Sequence, residues 1–362
     1  MILATVIPFD VIGGAETFSL NLIKKQLTRD DISKIFFITF QTSKRNQNYV
    51  CQISSDKLKH INLRYRGFLI NHLFIFYYVI KFFTQNKVNV VHSHLISAIY
   101  LFSFPILFKK IKFIHTVHNQ ANHELGNSKF SIHYFLRYIY YSNISLISIS
   151  PSVKKSIHSF YGLNSLLILN GTVLSVKDSN EIEFNFKSDT KYFLAVGNTR
   201  IQKNYELLID AFKTIYKEYK VKLIIIGNLD DNFKNIDKEN YKNQNIYFLG
   251  FKNNVQDYMK KANFFCMTSK YEGMPIALLE SMANGLIPIV TPSPGIIDLI
   301  DHEVNGLVSD KNSVNSYAEL LKSALNMDDV DLNIISERGR EFFDMKYTIS
   351  ICEENYYKEY IK

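Results

Sequence analysis

Short apolar runs alternate with helix-length amphipathic segments along nearly the whole chain, and this alternation constrains the fold more than any other feature. In the first half the runs are rich in Val, Ile, Leu and Phe. Alternation of this kind is typical of βαβ units, and near-continuous apolar strands predict a parallel sheet covered on both faces. The strands predicted for the first half are Ile2–Pro8, Lys34–Phe40, Val88–His92, Lys112–His118, Leu146–Ser150 and Leu166–Asn170.

A polar stretch, Val173–Thr190, interrupts the pattern and is typical of a linker. A second alternating series then begins, and a length of 362 residues fits two domains. We therefore predict an α/β fold with two Rossmann-like, doubly wound domains that face each other across a cleft at the C-terminal edges of their strands. The predicted strands are Tyr192–Gly197, Val221–Gly227, Ile246–Gly250, Phe264–Thr268, Ile287–Thr291 and Leu307–Ser309, and the predicted helices Tyr205–Tyr216, Val255–Ala262 and Ile276–Asn284.

The domain boundaries follow from this pattern. Residues 1–172 form the N-terminal domain, 173–190 the linker and 191–345 the C-terminal domain. Residues 346–362 are predicted to form a C-terminal helix that is able to pack back on the N-terminal domain.

Charge divides the chain into two unlike halves. Residues 1–170 contain 19 Lys and Arg against 6 Asp and Glu, whereas the remainder contains 23 against 28. This segregation indicates an anionic partner for the first half: a nucleic acid, a phosphate-bearing substrate or an anionic membrane surface. A nucleic acid is disfavoured because the aromatic residues there stand in apolar runs and are not interleaved with Lys and Arg.

Cysteine usage and the apolar segments bear on the compartment. Cys51, Cys266 and Cys352 form neither a C-x-x-C pair nor an even set, which disfavours a disulfide scaffold and a structural zinc site. The first residues lack the basic region of a signal peptide, and Gly67–Phe83 is interrupted by polar residues and too short to span a bilayer. We expect a cytoplasmic protein.

The stretch Tyr271–Gly285 carries the most chemistry. Glu272 follows a predicted strand, Pro275 stands where a helix is predicted to begin, and Glu280 lies eight residues after Glu272. On a helix, eight positions return to within about 80° of the starting direction, so both carboxylates can address one ligand. The alternative is that Glu272 only complements the helix dipole and Glu280 is solvated. The backbone N–H groups expected to receive an anion are those of Gly273, Met274 and Ile276.

Other polar residues stand at predicted strand ends, where open α/β sheets bind ligands. His118 ends one strand, and Arg200 and Lys203 follow another, where two cations can hold a diphosphate without a metal. Each also has a plain structural alternative as a core or solvated residue. Two potential metal motifs are disfavoured: His92 and His94 lack a third ligand at a fitting spacing, and Asp329-Val330-Asp331 follows a helix, which favours a turn and helix cap.

Glu272 and Glu280 with their flanking residues resemble the E-x7-E signature of the retaining glycosyltransferases of family four, the "glycosyl transferases group 1" proteins of GT-B fold. Further matching pieces occur in the same order over almost the whole chain. Gly13-Gly14-Ala15-Glu16 resembles the family's G-G-x-E loop, and Asn170-Gly171 resembles the N-G motif that closes its first domain. The remaining pieces are Val91–His94, His115–His118, Ser148–Ser152, Val196-Gly197, Lys203-Asn204, Ile226-Gly227, Leu249–Phe251 and Asn305–Leu307.

The resemblance implies a site for a nucleotide sugar. It places Glu280 on the ribose, the backbone near Gly227 and Phe251 on the base, and Arg200 with Lys203 on the diphosphate. Glu272 with the amides of Gly273, Met274 and Ile276, next to Pro275, would orient the sugar, which His118 would also contact. Gly13, Gly14 and Glu16 would approach the donor phosphates and the acceptor, and Asn170 is a further candidate for substrate binding.

The implied activity is a metal-independent, retaining transfer of a hexose or N-acetylhexosamine. The expected donor is a nucleotide diphosphate sugar, UDP-linked, and the expected acceptor a growing bacterial surface glycan, lipid-linked at the inner membrane. A nucleotide-sugar epimerase or hydrolase of the same fold remains the alternative.

Peripheral contact with anionic lipid is expected for the basic half. The candidate segments are the apolar run Gly67–Phe83 and a second run, Tyr100–Phe108, which Lys109, Lys110 and Lys112 follow. The alternative is that both runs are helices packed on the sheet, since such helices are apolar on at least one face.

The chain departs from the family pattern at two places. Asn198 stands directly after Val-Gly, where the family has Arg, and Arg200 comes two positions later, whereas Lys203 keeps its spacing. Ser293-Pro294-Gly295 replaces a common Gly-Gly, and Asp298 replaces a common Glu. These differences make Arg200 a weaker candidate for a phosphate ligand than Lys203.

Overall fold

The structure, a computed structural model, describes residues 1–9, 13–41, 53–63, 69–95, 110–123, 132–174, 182–229, 233 and 236–362. The chain divides into two compact units. The first consists of Met1–Gly171 together with Ile349–Lys362, and the second of Thr172–Thr348. The apolar run Tyr100–Phe108, Lys109 and Cys51 lie outside the described residues.

The first unit is built on a seven-stranded parallel sheet in the order β3-β2-β1-β4-β5-β6-β7. Strand β4 is buried along its whole length and β5 beyond its first residue, as expected of central strands in a parallel sheet that is covered on both faces. The strands are β1 Ile2–Phe9, β2 Lys34–Gln41, β3 Leu58–Asn62, β4 Val90–His94, β5 Lys112–Val117, β6 Ser145–Ser148 and β7 Leu166–Leu167. The helices are α1 Gly14–Gln26, α2 Leu69–Gln85, α3 Ile132–Ser142 and α4 Pro151–Tyr161, joined by the C-terminal helix α11 Ile349–Ile361.

The second unit contains a six-stranded parallel sheet in the order β10-β9-β8-β11-β12-β13. Its core is formed by strand side chains and by the apolar faces of the helices that cover them. The strands are β8 Lys191–Val196, β9 Val221–Ile226, β10 Ile246–Gly250, β11 Phe264–Met267, β12 Ile287–Val290 and β13 Leu307–Val308. The helices are α5 Tyr205–Lys213, α6 Lys238–Asn243, α7 Val255–Met259, α8 Ile276–Ala283, α9 Val314–Asn326 and α10 Asp329–Lys346.

Local sequence chemistry accounts for where several helices begin and end. Ser150 caps α4 by accepting a hydrogen bond from the Val153 N–H at 3.2 Å, and Pro151 occupies the first turn. Gly162 ends the same helix with a φ of 69°, in the left-handed region that favours glycine. Asp328 caps α10, so the whole of Asp329-Val330-Asp331 belongs to the helix, and the cap is one residue earlier than predicted.

The prediction of two doubly wound α/β domains is confirmed by the strand orders. Strand β3 was not predicted, because L-K-H-I-N is short, contains no fully buried residue and lacks an apolar run. In both sheets the order reverses beside the first strand of the unit. Ligands of open α/β sheets bind at such switch points, outside the carboxyl ends of the strands.

Candidate active site

An ion pair lies at the switch point of the second sheet. Lys203 follows β8 and Glu272 follows the neighbouring strand β11. The Lys203 Nζ donates to Glu272 Oε1 at 2.7 Å, and the side chains are 23% and 10% exposed. Lys203 and Glu272, which the sequence predicted as separate ligands, are therefore hydrogen-bonded to each other. Glu272 is thus more than a first-turn acid that complements a helix dipole, which is the alternative the sequence left open.

The two loops that carry this pair are joined by several hydrogen bonds. Gln202 Nε2 donates to the Tyr271 carbonyl at 2.7 Å, and the Lys270 N–H donates to the Gln202 carbonyl at 2.8 Å. The Thr268 hydroxyl lies 3.2 Å from the Lys203 carbonyl. These bonds hold Lys203 and Glu272 on loops that are fixed to each other, so little reorganisation is needed when charge develops nearby.

A third loop, after β12, supports Glu272 through the backbone. The Glu272 N–H donates to the Pro294 carbonyl at 2.9 Å. Gly295 has a φ of 82°, and a Cβ at this position would stand 2.3 Å from the Glu272 carbonyl oxygen. Ser293-Pro294-Gly295, which departs from the family pattern, therefore permits a close approach of two backbones that any side chain would prevent.

Glycines end three adjacent strands beside this pair. A Cβ on Gly227 would lie 2.1 Å from the Gly197 carbonyl oxygen, so two of the strand ends meet backbone to backbone. The three glycines follow or end β8, β9 and β10, with φ values of 146° at Gly197, 151° at Gly227 and 70° at Gly250.

The residues that follow these glycines differ in exposure and role. The Asn198 side chain accepts a hydrogen bond from the Asn228 N–H at 3.0 Å, which gives a structural role to the residue that stands where the family has Arg. Phe251, just beyond β10, is 44% exposed. An exposed aromatic ring at a strand end of this sheet is available for a flat ligand.

The helix that contains Glu280 begins at the residue predicted from the sequence. Helix α8 starts at Ile276 with Pro275 as its N-cap, so Glu272 lies outside it, and the angular relation expected between the two carboxylates does not apply. None of the N–H groups of Gly273, Met274 and Ile276 hydrogen bonds to another described residue. These amides are available to an anion at the edge that carries Lys203 and Glu272.

Glu280 is a partly buried carboxyl and is not solvated as one alternative held. Burial raises its pKa to about 7, while hydrogen bonds from Thr172 and Gln256 act in the opposite direction. The Thr172 hydroxyl lies 3.4 Å from Glu280 Oε1. Sequence reasoning missed Thr172 because it is more than 100 residues away. Glu280 therefore titrates near neutral pH.

Arg200 is exposed and opens the short turn that leads to Lys203. Its backbone N–H donates to the Asn198 carbonyl at 2.7 Å. This position beside Lys203 is consistent in sequence order with a phosphate ligand, which remains a prediction.

In the first unit, Gly13 is the N-cap of α1 and Gly14 its first residue. A Cβ on Gly13 would lie 2.5 Å from Glu16 Oε2, so the glutamate side chain folds back over the glycine. Gly14 is exposed, and a Cβ there would meet no heavy atom of the described residues within 4 Å. Asn170 is 2% exposed, and its Oδ1 has no hydrogen-bond partner among the described residues.

His118 directly follows β5, at the carboxyl edge of the first sheet. Its Nε2 lies 2.9 Å from Nδ1 of His94, the last residue of the neighbouring strand β4. Burial lowers the pKa of His118 to about 3, so the ring is neutral at neutral pH. The sequence singled out His118 but not its partner, although His94 was visible as the second half of an H-x-H pattern.

Among the described residues there is neither a metal site nor a membrane-spanning helix. Within them, no group of three His, Cys, Asp or Glu side chains is placed to hold a metal ion. No helix among them has the length and apolar character required to cross a membrane.

Comparison with known proteins identifies the family. A model described as "Glycosyltransferase Family 4" matches residues 12–175, and "Glycosyl transferases group 1" matches residues 176–342. An uncharacterized glycosyltransferase of Methanocaldococcus jannaschii is 26% identical over 92% of this chain and 90% of its own length. The UDP-Gal:alpha-D-GlcNAc-diphosphoundecaprenol alpha-1,3-galactosyltransferase of Escherichia coli is 29% identical over 45% of this chain and 43% of its own.

Solved structures agree with the fold. HepE of Anabaena, determined in complex with UDP and glucose, superposes with a TM-score of 0.77 over 99% of both chains at 14% identity. The two family matches adjoin each other and together cover both units, and the strand orders are those of two doubly wound domains. The chain therefore belongs to the group 1 glycosyltransferases and is a transferase enzyme with a GT-B fold.

Proposed function

We propose that the protein transfers a hexose or N-acetylhexosamine from a UDP-sugar to a glycan acceptor carried on a lipid diphosphate, with retention of the anomeric configuration. The observation that supports this most is the Lys203–Glu272 pair at the switch point of the second sheet, beside amides that bond to no other described residue. A cation, a carboxylate and backbone donors together suit a ligand that combines a diphosphate with a sugar.

Lys203 acts on the leaving group in this proposal. The bond between the anomeric carbon and the diphosphate oxygen breaks, and negative charge accumulates on the departing UDP. The Lys203 ammonium and the amides of Gly273, Met274 and Ile276 stabilise that charge. The acceptor hydroxyl attacks from the same face and passes its proton to the departing phosphate, so no enzyme carboxylate needs to form a covalent bond.

Other residues bind the parts of the donor that do not react. Glu280 accepts hydrogen bonds from the ribose hydroxyls, the backbone near Gly227 and Phe251 contacts the base, and Glu272 orients the transferred sugar. Arg200 joins Lys203 on the diphosphate. Binding energy from such remote contacts can be used to position the reacting centre.

Residues of the first unit complete the assignment. His118 is assigned to the sugar as a neutral hydrogen-bonding ring, Gly13, Gly14 and Glu16 to the acceptor and donor phosphates, and Asn170 to substrate binding. Its buried Oδ1, which has no partner among the described residues, supports Asn170, since a buried polar atom is costly unless it gains a hydrogen bond.

The choice of substrates rests on relatives and charge. HepE was solved with UDP and glucose, and the galactosyltransferase of Escherichia coli is named for a UDP-linked donor and a diphosphoundecaprenol acceptor. The basic first half, with 19 Lys and Arg against 6 Asp and Glu, suits a diphosphate-bearing acceptor.

A panel of UDP-glucose, UDP-galactose, UDP-N-acetylglucosamine and UDP-N-acetylgalactosamine tests the proposal. At 100 times its dissociation constant, a true donor should stabilise the protein by about 2.7 kcal/mol in a thermal unfolding experiment. With a diphospholipid-linked sugar added, UDP should be released and the product should carry the donor's anomeric configuration. Conversion of the donor without acceptor would instead indicate an epimerase or hydrolase, and loss of turnover in EDTA that manganese restores would contradict the assignment of charge stabilisation to Lys203.

We also propose peripheral docking on the cytoplasmic face of the inner membrane. On α2, Tyr77 and Tyr78 are 64% and 47% exposed and Lys81 is exposed, whereas Val79 and Phe83 are buried. Aromatic and basic side chains on one surface suit an anionic bilayer, where each cation contributes about 1 kcal/mol. Binding to vesicles rich in phosphatidylglycerol should be seen by flotation at low salt and weaken at high salt. If the protein does not float with these vesicles, the membrane-docking proposal is wrong and the basic half of the chain serves another anion.

A further inference from the structure

A buried polar network occupies one face of the first sheet, where β4 and β5 meet the C-terminal helix α11. His92 Nδ1 lies 2.8 Å from the Tyr360 hydroxyl, and His92 Nε2 lies 2.8 Å from the Thr116 hydroxyl. The Thr116 hydroxyl is in turn 2.9 Å from that of Tyr356. Both ring nitrogens of His92 are therefore used, and its plane is fixed by two strands and a helix.

His94 continues this network toward the carboxyl edge of the sheet. Side chains two residues apart on a strand share a face, and the His92 and His94 rings lie 4.1 Å apart between centroids. The His94 Nδ1 then reaches His118 Nε2 at 2.9 Å. The Phe18 ring of α1 packs edge-on against both rings, at 6.1 Å from His94 and 5.6 Å from His118. Packing and hydrogen bonding thus restrict the His94 ring on several sides.

In this arrangement, one ring nitrogen of His118 is able to hydrogen bond to a ligand. The Nε2 is bonded to His94, and the Nδ1 of His118 makes no hydrogen bond to any described residue. One of the two facing nitrogens must carry a proton and the other must accept it. If His94 donates, His118 carries its own proton on Nδ1 and offers a donor to a ligand; if His118 donates, its Nδ1 is an acceptor. The hydrogen bond to His94 therefore restricts the orientation of the His118 ring, and the tautomer of the pair sets whether the His118 Nδ1 donates or accepts.

We infer that His94 is a positioning residue that holds the His118 imidazole in one orientation and one tautomer for its contact with the transferred sugar. The inference rests on the proposed function, since it takes His118 as a sugar ligand. The His94 ring is itself held by packing against the His92 ring, which two hydrogen bonds fix, and against the Phe18 ring. Such a role resembles the orientation of metal-bound or catalytic histidines by the hydrogen bond on their second nitrogen.

The test compares two buried histidines of the same sheet. His94→Leu removes the bond to His118, whereas His115→Leu removes a histidine that bonds to Ser93 Oγ at 2.8 Å and is not hydrogen-bonded to His118. Both variants should lose stability by similar amounts in thermal unfolding. Only His94→Leu should lower kcat, by about 10- to 100-fold. The KM for the best UDP-sugar of the panel should change less than about threefold, because a wrongly oriented His118 ring disturbs the geometry of the reacting groups more than it weakens donor binding.

A conservative variant separates positioning from packing. His94→Asn places a polar atom near the site of Nδ1 and should restore most of kcat, whereas His94→Gln reaches the region of Nε2 and should not. In combination with His118→Ala, His94→Leu should add no further loss, since the residue it acts through is gone. If His94→Leu does not fold, His94→Asn, His94→Gln and the double variants that combine them with His118→Ala supply the same comparison.

Two failures can be told apart. Full activity in His118→Ala would remove His118 from the proposed mechanism. Two other results would refute the role of His94 and leave the proposed function intact. The first is loss of activity in His118→Ala together with a normal kcat in His94→Leu or His94→Gln. The second is a double variant whose loss of kcat equals the product of the two single losses.

Discussion

In the proposed mechanism, Lys203 is the residue whose charge matters most for turnover. Its ammonium faces Glu272 at 2.7 Å in the structure and is assigned to the leaving diphosphate in the reaction. Lys203→Ala should lower kcat by about 10² to 10³ while the protein remains folded, because removal of one electrostatic contact to developing charge commonly costs that much. Steady-state UDP release checks this.

Two further variants make the comparison specific. Lys213, which pairs with Asp210 on α5, offers a matched control, and Lys213→Ala should retain full turnover. Arg200→Ala tests the displaced arginine. Near-normal activity in that variant would show that Arg200 is not a phosphate ligand, without affecting the assignment of Lys203.

Glu280 should make donor binding depend on pH around neutrality. Its pKa is raised to about 7 by burial, so at pH 6 only about one-tenth of the molecules carry the ionised carboxylate that binds ribose hydroxyls best. The dissociation constant of UDP-glucose, whose diphosphate does not titrate in this range, should rise about tenfold from pH 8 to pH 6. Calorimetric titration of the Glu280→Gln variant should show weaker binding with no such dependence, and an equally steep profile there would assign the titration to another group.

The candidate ligands of the second unit were predictable from the sequence, but their partners were not. Glu272, Glu280 and Lys203 stand at fixed spacings from strand ends and from a helix start, which a sequence displays directly. The Lys203–Glu272 bond and the Thr172–Glu280 contact join residues 69 and 108 positions apart. Such pairs depend on which strands are neighbours in the sheet, and the sequence pattern does not contain that order.

Among the structural elements, the loop after β12 positions Glu272 through contacts between backbone atoms. Gly295→Ala would strain a left-handed backbone at about 1–2 kcal/mol and would also push a Cβ to within 2.3 Å of the Glu272 carbonyl oxygen. Gly162, with a φ of 69° and no heavy atom of the described residues within 4 Å of a Cβ, provides the matched control. Both variants should lower Tm, and only Gly295→Ala should also raise the KM for UDP-glucose and lower kcat. Equal kinetics in the two variants would mean that this loop does not position Glu272.

Element boundaries show where sequence patterns lose resolution. The ends of every predicted strand lie within three residues of the observed bounds, because the apolar runs are continuous. Helix α8 begins at Ile276, as predicted, because Gly273 and Pro275 favour a non-helical backbone before the first turn. The edge strand β3 was missed because polar residues separate its two apolar residues, Leu58 and Ile61, so no apolar run results.

At the scale of the whole molecule, burial shifts the pKa of four histidines in the first unit and of one carboxyl group in the second. The first unit contains four buried or partly buried histidines on β4, β5 and the residue that follows β5: His92, His94, His115 and His118. The second unit contains Glu280. The overall excess of basic residues in the first half was visible in the sequence, whereas the burial of His92 was not, because the sequence pattern does not show which strand α11 contacts.

These groups predict opposite effects of pH on stability. Burial lowers the pKa of His92 and of His118 to about 3, and burial with neighbouring charges holds the pKa of His94 and His115 well below the usual 6.5. Between the lowered pKa values of the folded state and the usual value of 6.5, the unfolded chain binds protons that the native chain does not. The free energy of unfolding should therefore fall as the pH drops below about 6.5, by up to about 1.4 kcal/mol per pH unit for each histidine.

Glu280 acts in the other direction, since its pKa is higher in the folded state, about 7, than in the unfolded chain, 4.5. The native state then binds the extra proton, and the contribution of Glu280 to stability is lost as the pH rises from about 4.5 through 7. Calorimetric unfolding from pH 5 to pH 8 should show that Glu280→Gln, relative to wild type, gains stability at pH 8 and not at pH 5. His92→Asn should reduce the loss of stability between pH 6.5 and pH 5. Parallel curves for all three proteins would mean that neither Glu280 nor His92 changes its pKa on folding.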